Sequence, residues 1–162
     1  MDYLWTPWRY QYVTSQGKAD GCVFCTAASS ADDRANFVVH RGKEAFVILN
    51  RFPYTNGHIM IVPYQHVSTL EELGDEALVE MMRLARTADT RLREIYPPDG
   101  LNLGMNLGKS AGAGIAEHLH LHALPRWVGD ANFMTVTAET RVHPETLATT
   151  YRRFKEAFAT LQ

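Results

Sequence analysis

The spacing of apolar and polar positions changes several times along the chain, and each change marks an element. Phe37-Val-Val-His40, Glu44 to Leu49 and His58 to Pro63 are short apolar runs bounded by turn residues, the signature of strands. Arg51 to Gly57 separates the last two as the long loop of an antiparallel hairpin. Asp75 to Tyr96 has the helical period. Leu78, Met81, Met82, Ala85, Ala88, Leu92 and Ile95 form one stripe, Asp75 is placed to cap it, and Pro97-Pro98-Asp99-Gly100 stops it. Leu101 to Leu107 and His118 to Pro125 alternate as strands do. The tail is helical again, with Pro144 at its first position and Leu147, Tyr151, Phe154, Phe158 and Leu161 on its buried face. Residues 26–36 are small and polar and read as an exposed loop. Strands, helix, strands and helix with short connections predict an antiparallel α+β fold. No repeat or long linker divides the chain, so one domain over 1–162 is expected, with an aromatic N-terminal arm (1–21) and a C-terminal helix (144–161).

A chain of 162 residues can bury a real core. Its formal net charge of −2 gives no electrostatic case for a nucleic acid or a membrane as partner. The first residues do not read as a secretory signal and no apolar run is long enough to span a bilayer, so a cytoplasmic location is expected. An anionic substrate would have to be held by local cations and backbone N–H groups.

His118-Leu-His120-Leu-His122 is the most informative stretch. On a strand, alternate side chains share a face, so the three imidazoles line one side and Leu119, Leu121 and Ala123 the other. A row of imidazoles builds a core poorly, because every ring brings polar nitrogens that need partners. A coincidental polar face is the plain alternative. Two of the histidines could share a metal, but geometry argues against all three: positions i and i+4 of a strand are on the order of 13 Å apart, whereas metal-bound nitrogens sit about 2 Å from the ion. A neutral imidazole in mid-row can instead act as a nucleophile, its tautomer fixed by a neighbour or a carbonyl. The loop Gly108 to Gly114 runs up to this strand and offers backbone N–H groups with little steric obstruction, which suits phosphate oxygens. A nucleophile beside an anion cradle points to attack at phosphorus.

His118-x-His120-x-His122 with the apolar residues after it, together with Leu49-Asn50-Arg51 and Gly57-His58-Ile-Met-Ile-Val-Pro63, resembles the histidine triad family of nucleotide hydrolases and transferases. The resemblance covers about Cys22 to Trp127. Leu4-Trp-Thr-Pro-Trp-Arg9, Pro125-Arg126-Trp127 and Asp130-Ala-Asn132-Phe133 resemble a bacterial branch similar to diadenosine tetraphosphate phosphorylases and hydrolases. It implies a five-stranded antiparallel sheet with two main helices, extended across a homodimer. It also implies cleavage at the α-phosphate of a small nucleotide through a nucleotidyl-histidine, with no organic cofactor. His120 is then the nucleophile, and His122 contacts phosphate and helps protonate the leaving group. His118 supports His120 or binds metal, and His58 orients the site or serves structurally. Asn50 bonds the ribose, Ile48 and Met60 flank the base, and Asn106 contacts phosphate. Lys109, Ser110, Gly112 and Gly114 of the loop complete the substrate set. Many relatives carry Gln, Ser or Thr donors three or four residues before the first triad histidine. Gly114 and Ile115 stand there in this chain, leaving backbone N–H groups or Ser110 as donors. Hydrolysis of adenosine 5′-phosphoramidates, or nucleotide sensing with little catalysis, are the alternative functions.

Cys22 and Cys25 are spaced as half of a metal site or as a redox pair. Some triad relatives, and the related hexose-1-phosphate uridylyltransferases, bind zinc through two cysteines, a histidine at the place of His66 and the first triad histidine. The resemblance therefore implies a structural zinc on Cys22, Cys25, His66 and His118. His40 and His143 read as surface histidines, Trp5 and Trp127 as packing or dimer-contact residues. Arg9 and Lys109 are candidate phosphate cations, although a solvated charge is the plainer reading of each.

Overall fold

The computed structural model describes residues 21–130 and 145–159. The aromatic arm up to Asp20, with Trp5 and Arg9, and also Asn132, Phe133, His143, Pro144 and Leu161 lie outside the described residues. Within them the elements are helices α1 (Val23–Ser29) and α2 (Asp33–Asn36), strands β1 (Val38–Arg41), β2 (Ala45–Leu49) and β3 (Ile59–Pro63), helix α3 (Asp75–Ile95), strands β4 (Gly100–Gly104) and β5 (Leu121–Arg126), and helix α4 (Leu147–Phe158). The strands form one five-stranded sheet in the order β1-β2-β3-β5-β4, with every pairing antiparallel. This is the expected α+β class, with α3 and α4 as its two main helices. No helix among the described residues is long and apolar enough to cross a membrane.

Each face of the sheet has its own cover. Val47, Leu49, Ile59, Ile61, Leu121 and Ala123 meet Met81, Ala85, Ala88 and Leu92 of α3 and Phe154 and Phe158 of α4. The alternate residues Phe46, Ile48, Met60 and Val62 turn the other way and pack with Phe24 and Ala27 of α1. Burial on both faces is why β2 and β3 read as continuous apolar runs rather than as an alternation.

Several local expectations are corrected. Residues 26–36 are not an exposed loop but the end of α1 and all of α2. The cause is tertiary. The Arg41 guanidinium of β1 donates to the carbonyls of Ala27 (3.0 Å), Ala28 (2.8 Å) and Ser30 (2.7 Å) and to Asp33 Oδ1 (2.8 Å). A cation on the last carbonyls stabilises a short helix that propensity alone would not hold. Gly74, not Asp75, is the N-cap of α3, and Asp75 acts from the first turn, where a carboxylate complements the positive end of the helix dipole. Met82 does not belong to the buried stripe: it is 58% exposed, and Leu84 and Ala77 take part instead. The helix α4 starts at Leu147, with Thr146 Oγ1 accepting the Thr149 N–H. His40 is half-buried, its ring against Phe158.

Two contacts position the hairpin that carries half of the site. Glu80 of α3 accepts the N–H groups of Lys43 (3.0 Å), Ala45 (2.8 Å) and Glu44 between β1 and β2. Burial raises its carboxyl, but the three donors prevail and hold it below the ordinary value. Gly57 has φ +78°, and a Cβ there would lie 2.7 Å from the Tyr96 ring, so only glycine brings this loop against the end of α3. The next residue is His58.

Candidate active site and metal centre

The first two triad histidines precede the β5 ladder instead of lying within it. Leu119 bonds through its N–H to the Val67 carbonyl (2.7 Å), outside the sheet. The alternation nevertheless persists, since Leu119, Leu121 and Ala123 are all in the helix-covered core. His118, His120 and His122 are buried on the opposite side. The His120 and His122 rings are 4.8 Å apart, and Phe24 of α1 touches both His118 (5.3 Å) and His120 (4.9 Å). Strand register puts Ile48, Met60 and His122 in one line across β2, β3 and β5.

Hydrogen bonds assign the protons. A carbonyl can only accept, so His120 Nδ1, 2.8 Å from the His118 carbonyl, carries hydrogen. In the neutral ring this leaves the lone pair on Nε2. By the same logic His118 Nε2 donates to the Pro63 carbonyl (3.0 Å), which leaves its Nδ1 unprotonated. The Tyr54 N–H donates to His58 Nδ1 (3.1 Å), so His58 holds its proton on Nε2 and gives it to His122 Nδ1 (2.9 Å). His122 then carries its own hydrogen on Nε2. One triad ring thus has its Nε2 unprotonated and its neighbour carries hydrogen there.

Burial pushes all three rings below their ordinary value, against the carbonyl bonds at His118 and His120. His122 falls furthest, to about 4, through burial and then the adjacent His120. The unfolded chain therefore takes up a proton between its ordinary 6.5 and about 4 that folded His122 refuses, and stability present above that window is lost as pH falls through it. Urea midpoints should drop more between about pH 7 and about pH 5 in the native chain than in His122→Gln. Equal drops would overturn the assignment.

Beyond His118 the row opens into a second cluster. Cys22 caps α1 and Cys25 lies within its first turn, so both thiols face the same side. Cys22 Sγ is 3.3 Å and Cys25 Sγ 3.6 Å from His118 Nδ1, and Cys25 Sγ is 3.2 Å from His66 Nδ1. All four donor atoms lie within 4.8 Å of one another. A tetrahedral ion with bonds of about 2.0–2.3 Å needs ligand separations only slightly smaller. The donor chemistry fits as well: His118 offers the unprotonated nitrogen, with the Pro63 carbonyl fixing the ring from behind. Burial and the neighbouring Cys22 push the Cys25 thiol up, a cost that a dication would reverse.

The remaining candidates are placed as follows. Asn50 accepts the Phe52 N–H at Oδ1 (2.9 Å), with its amide nitrogen 3.3 Å from His58 Nδ1. Ile48 and Met60 are buried beside His122. Asn106 is half-buried between β4 and β5, while Lys109, Ser110, Gly112 and Gly114 are exposed on the same connection. Part of that loop's donor supply is spent internally, because the N–H groups of Ala111, Gly112 and Ala113 bond to Gly108 and Lys109 carbonyls. Trp127 is half-buried, edge-on to Tyr96. Two site-shaping side chains escaped the sequence reading. Phe24 was legible only as the apolar residue inside the Cys-x-x-Cys pair, and Tyr54 carried no signal beyond its place in the hairpin loop.

Comparison with known proteins gives concordant findings. Residues 32–128 match the HIT domain family. A Mycobacterium tuberculosis protein named AP-4-A phosphorylase is 40% identical over 156 residues, spanning 92% of this chain and 80% of that protein. A Zn-bound histidine triad family protein from Mycobacterium smegmatis superposes with a TM-score of 0.69 at 27% identity, covering 87% of this chain and 95% of its own. A Plasmodium falciparum diadenosine triphosphate hydrolase, in complex with Cyclomarin A, shares the fold at 18% identity with a TM-score of 0.64, over 80% of each chain.

Proposed function

The chain belongs to the histidine triad (HIT) family, and from that premise we propose that it is a diadenosine tetraphosphate phosphorylase or hydrolase working through a nucleotidyl-histidine. The observation that carries the reading is the proton assignment at His120. Its Nδ1–H is committed to the His118 carbonyl, so Nε2 is left as a nucleophile beside the donor His122. The name of the M. tuberculosis relative supports the substrate class.

In the first step a bond forms from His120 Nε2 to the α-phosphorus, and the bond to the bridging oxygen breaks with its electron pair going to the departing ATP. His122 Nε2–H hydrogen-bonds to that oxygen. In the second step an oxygen of phosphate or water attacks the same phosphorus and the N–P bond breaks, returning the electron pair to His120. His58 acts through His122 by holding its tautomer. Asn50 serves the ribose, Ile48 and Met60 flank the base, and Asn106, Lys109, Ser110, Gly112 and Gly114 serve the phosphates.

Cys22, Cys25, His66 and His118 hold a structural zinc in this reading. Zinc when bound supplies a cross-link between α1 and the segment leading into β5. The reduced thiols it needs suit the cytoplasm. Strand β4 lies at the sheet edge with Leu103 exposed, and an edge of this kind is where a second copy would extend the sheet into a homodimer.

Incubation with diadenosine tetraphosphate, with and without inorganic phosphate, tests the function. ADP and ATP in equal amounts, appearing only when phosphate is added, are the expected products of a phosphorylase. AMP and ATP without added phosphate identify a hydrolase. Absence of any product overturns the reading.

A further inference from the structure

We propose that His122 serves as a neutral hydrogen-bond donor and not as a source of protons, which confines the site to leaving groups that depart as stable anions, phosphates and polyphosphates, and excludes amines. The inference rests on the reading that His120 takes a nucleotidyl group, and it names the leaving-group class of that reaction.

A histidine that gives up a proton needs a group behind it that accepts the hydrogen on its other nitrogen and stabilises the cation, as a carboxylate or a carbonyl does. His120 has such a group, the His118 carbonyl 2.8 Å from its Nδ1. His122 has the reverse. Its Nδ1 faces Nε2 of His58 (2.9 Å), and His58 is itself held in one tautomer by donors. The Tyr54 backbone N–H points at His58 Nδ1 (3.1 Å) and, being an amide, cannot accept there. Asn50 presents its NH2 to the same ring, 3.3 Å from Nδ1 and 3.4 Å from Nε2, because its Oδ1 takes the Phe52 N–H (2.9 Å). The series of donors runs one way, from the Tyr54 N–H through His58 Nε2–H to His122 Nε2–H.

A positive charge on His122 would break this series. Its Nδ1–H would then face His58 Nε2–H, and moving the His58 hydrogen to Nδ1 would set it against the Tyr54 N–H instead. Burial and the adjacent His120 act in the same direction and push the ring down to about 4. His122 is therefore neutral where its neighbours are folded around it at neutral pH.

A phosphate leaving group asks for no more than a hydrogen bond. His120 Nε2 bonds to phosphorus, the P–O bond breaks with its electron pair on the oxygen, and that oxygen departs as an anion that is stable near neutrality, since the last proton of a phosphate has a pKa of about 6. No proton changes place. The His120 ring is then bonded at Nε2, still holds Nδ1–H, and carries a positive charge that the His118 carbonyl faces. An amine differs. When a P–N bond breaks, the electron pair left on nitrogen needs a proton, because an amide anion is far too basic to depart. Taking that proton from His122 Nε2–H leaves an anionic ring. His58 Nε2–H can refill His122 at Nδ1, but His58 is then the anion, and the Tyr54 amide passes nothing on. The series delivers hydrogen bonds and runs out of protons, so adenosine 5′-phosphoramidates are poor substrates.

The test uses the purified full chain and adenylyl substrates with leaving groups of similar size: the p-nitrophenyl and phenyl esters of AMP, and its anilide, in which a P–N bond replaces the P–O bond. The native chain should turn over the p-nitrophenyl ester, with kcat/KM for the anilide lower by about 10³-fold or more, a factor of the size that a general acid supplies. Comparable values for the two overturn the proposal and leave the nucleotidyl-histidine standing. His122→Gln gives the second measurement. It should slow the two esters by the same factor, keeping the native ratio of p-nitrophenyl to phenyl ester. A further loss of about 10-fold or more confined to the phenyl ester, whose oxygen is the more basic, shows that His122 supplies a proton and overturns the proposal as well. A native chain inert toward the esters and diadenosine tetraphosphate alike sinks the function itself, and the proposal with it.

Discussion

His120→Asn is expected to lower turnover of diadenosine tetraphosphate by a factor on the order of 10⁴ or more while leaving the protein folded. Asparagine is the informative choice because its amide can replace the Nδ1–H donation to the His118 carbonyl, so the local hydrogen bond survives and only the nucleophilic nitrogen is lost. The loss should be much larger than that from His58→Asn, since in the proposed mechanism His58 reaches the reaction only through its hydrogen bond to His122. A labelled adenylyl group should be trapped on the native chain when it is denatured in alkali, where an N–P bond survives, and be absent from the variant. Retained turnover in His120→Asn, with contaminating activity excluded, would remove the covalent mechanism altogether.

Zinc removal is the second large effect. Freshly purified protein should contain about one zinc per chain, and Cys22→Ser should abolish it and lower the melting temperature by about 10 °C or more. The penalty is smaller than for a zinc finger because the sheet and its helices have a core of their own. It is still large because the ligands join segments 96 residues apart, Cys22 at the head of α1 and His118 before β5. Substitution by cobalt should give the near-ultraviolet charge-transfer bands of thiolate ligands, and Cys25→Ser should weaken them. Activity should also fall without metal: His118 belongs to the proposed ligand set, its own carbonyl accepts from His120, and a shift of the one moves the other. A protein that contains no zinc, and whose melting temperature is indifferent to Cys22→Ser, would end this assignment.

Much of the chemistry was legible along the chain because period-2 geometry needs no tertiary information. Three histidines two apart must share a face of an extended segment, and Leu119, Leu121 and Ala123 must share the other, wherever that segment packs. The strands β1 to β3, as short apolar runs between turns, and the two main helices, by their apolar spacing, are likewise identified before their neighbours are known. The boundaries that failed were those set by a distant partner. The short helix α1 is held at its end because Arg41, in the first strand, binds the carbonyls of Ala27, Ala28 and Ser30, and no local propensity records that contact. Met82 is apolar at helical spacing, yet only the position of the sheet decides that it faces outward.

The division at the site follows the same physics. Sequence by itself determined which residue types are present and which of them alternate together, so it supplied a nucleophile candidate and a set of possible metal ligands. Tertiary structure alone decided the proton on each ring, because that depends on a carbonyl, an amide or another imidazole lying within about 3 Å. It also brought Cys22 and Cys25 to His66 and His118, and laid Tyr54 over the far end of the row. Tautomers and metal sites depend on contacts between residues distant in the chain, and those contacts exist only once the chain has folded.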